Sequence, residues 1–99
     1  MPTFEIAHLS ETGVGGGVVN IIIVPLGKSF GKKSGEEQHE LIVHLQLKAS
    51  SAGLLGRVVP VWEDDSGGMC YIAPPAWHSY FDKLSMDSVY VLINKTLSW

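Results

Sequence analysis

The segment SGEEQHELIVHLQLKASSAG (residues 34–53) can be laid out in two ways, and the choice sets the architecture. On a helix, Leu41, Ile42, Leu45, Ala49 and Ala52 gather on one face. On a strand, Leu41, Val43, Leu45 and Leu47 alternate with His44, Gln46 and Lys48. The ends favour the helix. Ser34 and Glu37 have the spacing of a capping box, in which the hydroxyl and the carboxylate each accept from the other residue's amide. Glu36, Glu37 and Glu40 suit the positive end of the dipole, and Gly53 before Leu54 suits a left-handed C-terminal cap. The expectation is a helix over 34–52.

Working outward, residues 18–26 (VVNIIIVPL) are β-branched and almost continuously apolar, as in a strand covered on both faces. Residues 57–63 (RVVPVWE) read the same way, although Pro60 donates no ladder hydrogen bond. Strand, helix and strand over 18–63 predict a right-handed crossover between parallel neighbours. Residues 3–9 (TFEIAHL) form a further strand, joined to 18–26 by a glycine-rich hairpin loop over 10–17. Asp64 to Gly68 turns the chain into a hairpin strand over 69–73, and Pro74-Pro75 ends it. A short helix is expected over 76–84, and a last helix over 86–97, capped by Ser85. The element order is β-β-α-β-β-α-α: an α+β domain with a mixed four-stranded sheet and helices packed on it.

Composition bounds the function. The chain has 99 residues, 45% hydrophobic and 17% charged, with a formal net charge of −3. That fits one domain over 1–99 and excludes a disordered tail. Seven basic against ten acidic residues speak against nucleic-acid binding. No apolar run reaches the roughly 18 residues of a membrane helix, and MPTFEIAH lacks the features of a signal peptide. No membrane partner and a cytoplasmic location are expected. One cysteine rules out a disulfide framework.

Several motifs fail on spacing. VPLGKS (24–29) resembles a phosphate loop, but Ile22 stands where the first glycine is required. His39-Glu40 begins a zinc motif whose second histidine, His44, comes one residue late and points about 140° away on a helix. No metal and no cofactor are expected. Lys28, Ser29, Lys32, Lys33 and Ser34 surround a predicted helix start, a setting for an anion, phosphate or nucleotide. Cys70 is the single thiol; buried packing is its ordinary role, and a catalytic one would require His78, with an acid such as Asp82, to converge on it.

Trp62, Tyr71, Trp77, Tyr80 and Phe81 crowd into twenty residues. Aromatics serve cores first, but Trp62, Trp77, His78 and Tyr80 are the candidates for a contact surface toward a protein or small ligand. Homo-oligomerisation, as a dimer, is expected. The expected function is a non-enzymatic, self-associating interaction module, with an anion-binding regulatory protein as the alternative and a Cys/His hydrolase behind both.

The phrases NIIIVPLGKSFGKKSGEEQ, AGLLGRVVPVWEDDSGGM and YIAPPAWHSYF, with INKTLSW at the end, resemble short bacterial proteins of the mobile gene-cassette (integron) type. The resemblance implies a bacterial cytoplasmic origin. It assigns no activity and no functional residue.

Overall fold

The computed structural model describes residues 3–12, 18–54 and 56–98. Of the loop expected over 10–17, residues 10–12 instead extend the first strand, and 13–17 lie outside the described residues. Strands β1 (Thr3–Thr12) and β2 (Val18–Leu26) pair antiparallel, from Ala7↔Ile23 to Thr12↔Val18. A 3-10 helix (Lys28–Lys32) leads to helix α1 (Gly35–Ser51), which returns the chain to β3 (Arg57–Glu63), parallel to β2. Strand β4 (Met69–Tyr71) is the antiparallel hairpin partner of β3.

Helix α1 resolves the ambiguity of its segment. Ser34 and Glu37 form the capping box, and Glu36 and Glu37 occupy the first turn. At the other end the amides of Gly53 and Leu54 donate to the carbonyls of Ser50 and Ala49, with Gly53 at φ +81°. This is a Schellman closure, which satisfies the last carbonyls and leaves a left-handed residue where glycine costs least.

The sheet has five strands rather than the four expected, in the order β4-β3-β2-β1-β5. The fifth strand comes from the segment 86–97, expected as one helix. Helix α3 (Met86–Leu92) stops early, and β5 (Lys95–Ser98) pairs antiparallel with Thr3–Ile6. Asn94 causes the break. Its amide donates to the Ile6 carbonyl, its Oδ1 accepts from the His8 amide at 2.9 Å, and its Nδ2 donates to the His8 carbonyl at 2.9 Å. Side chain and backbone together thus dock on β1, which ends the helix and starts a strand. The expected helix over 76–84 is shorter too: a 3-10 turn (Pro75–Trp77) opens into α2 (His78–Phe81).

Both faces of the sheet are covered. Ile6, Ile22, Val24, Val58 and Leu97 pack with Leu45 and Ala49 of α1. Ala7, Ile21, Ile23, Val59 and Val61 pack with Phe81, Met86 and Val89 of α2 and α3. Residues 21 to 24 therefore have no exposed surface on either side, which explains their unbroken apolar run. Each such side chain contributes about 1.5–3 kcal/mol of burial. Pro60 fits the centre of β3 because its carbonyl accepts from the Ile72 amide, past the end of β4. Its nitrogen faces the same side, away from β2, so the parallel ladder between β2 and β3 loses no bond.

Candidate functional site

Strand alternation sorts the aromatic cluster onto two faces. Val59, Val61 and Tyr71 point to the α2/α3 side, so Trp62 and Cys70, which are register partners, point to the other. Trp77 and Tyr80 stack edge to face at 5.6 Å, half-buried against the α2/α3 core. His78 is exposed, with Nε2 3.0 Å from the Ala73 carbonyl and its ring 5.5 Å from Tyr71. Trp62 instead meets Phe30 edge-on at 4.9 Å, on the side of the 3-10 helix. The structure gathers Trp77, His78 and Tyr80 and separates Trp62 from them.

The same alternation separates the two catalytic candidates. Cys70 lies on the Trp62 side, with Sγ 3.8 Å from Asp64 Oδ2. His78 and Asp82 lie on the Tyr71 side, where the Tyr71 hydroxyl donates to Asp82 Oδ1. That bond, with some burial, raises the Tyr71 pKa. Asp64 is occupied by its own turn. Its Oδ1 accepts from the Ser66 hydroxyl (2.7 Å) and from the Ser66 and Gly68 amides (2.9 Å each). The Ser66 hydroxyl foremost, then the Gly68 amide, holds the Asp64 carboxyl below its ordinary value. Burial first, and the Asp64 charge second, push the Cys70 thiol up. A thiol in that setting is protonated at neutral pH, the reverse of an activated nucleophile.

The basic loop divides as well. Lys28 Nζ is 3.6 Å from Glu63 Oε1, and both side chains are about half exposed. Ser34 directs its amide and hydroxyl to Glu37 Oε1, at 3.3 and 3.2 Å, and its hydroxyl accepts from the Glu37 amide at 3.2 Å. The positive end of α1 is thus answered by its own carboxylates. Lys28 and Lys32 border a cleft, while Ser29 and Lys33 stay exposed on the loop.

The surface that sequence reasoning missed is the outer side of α1. Val43 is 43% and Leu47 62% exposed, one turn apart on the helix. With Ile42, His39, Gln46 and Arg57 they line a groove of about 340 Å³. Gln46 fixes that border: its Nε2 donates to the Gly56 carbonyl at 2.8 Å, and its Oε1 accepts from the Val58 amide at 2.9 Å. Arg57 is thereby held beside the C-terminal half of α1. Val43 and Leu47 are the residues that gave this segment its strand-like alternation. Once the helix is settled they fall off its buried face, and that is the signal that could have found them.

Tyr90 and Val91 of α3 are also exposed, but adjacent helical positions diverge by about 100° and present no common stripe. Among the described residues, no helix is long and apolar enough to cross a membrane. No family model, no curated protein and no solved structure matches the chain.

Proposed function

We propose that this chain is a small, non-enzymatic interaction module that associates with a second copy of itself through the outer face of α1. The observation that carries this is the exposed Val43–Leu47 pair on a groove bordered by Arg57, with Glu36 and Glu40 on the preceding turns of the same helix. Glu36 and Glu40 lie in the N-terminal half of α1, and Arg57 flanks its C-terminal half. Two helices crossing antiparallel near Val43, the middle residue of α1, set the acidic half of each against Arg57 of the other. Contacts then repeat as identical pairs, as a two-fold interface requires. Apolar contact in the middle and opposite charges at the rim is the usual anatomy of such a surface.

The magnitude decides the character of the contact. Seventeen residues of helix make a strip about 25 Å long and about 10 Å wide. That is well short of the ~800 Å² per partner of a stable interface, so the association is weak and reversible. A module of this kind suits a bacterial cytoplasmic protein, the setting that the resemblance of its sequence implies.

Sedimentation velocity over a micromolar to millimolar series tests the proposal. The wild type should shift from monomer to dimer as concentration rises, and Leu47→Glu should stay monomeric with an unchanged circular dichroism spectrum. A wild type that is monomeric throughout, or a Leu47→Glu chain that dimerises equally, defeats it.

A further inference from the structure

We propose that the cleft at the carboxyl ends of β2 and β3 is a binding site for a small zwitterion of the α-amino-acid type, with an apolar side chain seated on Trp62. The cleft, about 280 Å³, lies between the 3-10 helix and the β3–β4 hairpin. The space outside the carboxyl ends of parallel strands is where open α/β sheets place their ligands. Its volume falls below the roughly 300–1,000 Å³ of pockets for drug-sized molecules, which selects a smaller ligand.

Charge narrows the class. Lys28 and Lys32 border the cleft from the 3-10 helix, and Glu63, Asp64 and Asp65 from the hairpin. Lys28 and Glu63 offset each other as an ion pair, and Asp64 is turned into its own loop. Among the described residues, Lys32 and Asp65 are left with no hydrogen bond or ion pair of their side chains, one on each bordering element. A phosphate would meet three acids against two lysines, and a simple cation would meet the lysines. A zwitterion satisfies both: its carboxylate at Lys32 and its ammonium at Asp65.

Trp62 supplies a fixed apolar floor. Phe30 braces it, and Gly31 lies so close that a Cβ there would come within 2.5 Å of the indole Nε1. The ring is therefore held in one place before any ligand arrives, which reduces the ordering cost of binding.

Titration of L-leucine into the ¹⁵N-labelled chain, followed at the Trp62 indole N–H, tests the proposal. Saturable shifts are expected in the millimolar range. Leucinamide, which lacks the carboxylate, and 4-methylpentanoate, which lacks the amine, should each bind at least about fivefold more weakly. Lys32→Ala should weaken leucine but leave leucinamide unchanged, and Asp65→Ala should weaken leucine but leave 4-methylpentanoate unchanged; both sites are exposed, so the fold is kept. Inorganic phosphate saturating the site while leucine does not would replace this ligand class with an anion. Absence of saturable shifts with all four compounds would overturn the site itself.

Discussion

Replacing Gly56 by alanine should be among the costliest single-methyl additions in this fold, and Gly53 provides its control. Both glycines have positive φ, +81° at Gly53 and +132° at Gly56, so an alanine at either is strained by about 1–2 kcal/mol. Their surroundings differ. A Cβ at Gly53 meets nothing within 4 Å, whereas one at Gly56 would lie 2.7 Å from the Asn20 carbonyl oxygen and 3.0 Å from the Asn20 Cβ. Asn20 is in β2, and the next register pair is Ile21↔Arg57, so the clash falls where β2 and β3 come together. Relief requires the two strands to part by a few tenths of an ångström. That movement also stretches the bonds of Gln46 to Gly56 and Val58, at 2.8 and 2.9 Å. Strain, crowding and weakened bonds together should cost about 3–4 kcal/mol, against about 1 for Gly53→Ala. In a domain of this size each kcal/mol moves Tm by about 4–8 °C. Thermal melts followed by circular dichroism should show a loss three to four times larger at 56 than at 53. Equal losses would refute the close packing of Gly56 on β2.

Two further outcomes follow from the side-chain environments. Iodoacetamide should label Cys70 more slowly than a free-thiol peptide at pH 7, and Asp64→Asn should speed it, because the Asp64 charge that helps to raise the thiol pKa is then removed. Faster labelling of the wild type than of the peptide would contradict the protonated thiol. Tyr71 should ionise above an ordinary tyrosine, since its bond to Asp82 favours the protonated phenol. A pKa raised in the folded state means a contribution that is present below about pH 10 and lost as pH rises through the folded value. An ultraviolet tyrosinate titration should therefore show Tyr71 shifted upward in the wild type and moved back toward its ordinary value by Asp82→Asn; no change on substitution would remove the cause assigned here.

Much of the fold was legible in the sequence because its signals are local. The capping box at Ser34–Glu37, the Schellman glycine and the unbroken Ile21–Val24 run each need only a few neighbouring residues to act. β5 was not legible: four residues with one buried side chain, Leu97, give little periodicity, and Asn94 makes its decisive bonds to residues 86 and 88 positions earlier. The site was legible only in part. Trp62, Trp77, His78 and Tyr80 form one cluster in sequence, but a strand's alternation sends Trp62 to the opposite face. The outer stripe of α1 was hidden by the same ambiguity that concealed the helix, since Val43 and Leu47 belong to either pattern until the helix is fixed.

The proposed antiparallel meeting of two copies along α1 can be read by cysteine cross-linking. In a Cys70→Ser background, a single cysteine replaces either Val43, close to the crossing point, or Glu36. Two antiparallel helices in contact have axes about 8–10 Å apart, which brings residue 43 of each copy together. Residue 36 is seven positions from the crossing, which separates the two copies by about 21 Å along the helices. Mild oxidation should give a covalent dimer for Val43→Cys and none for Glu36→Cys. Equal yields at both positions, or a dimer formed only through residue 36, would contradict the arrangement.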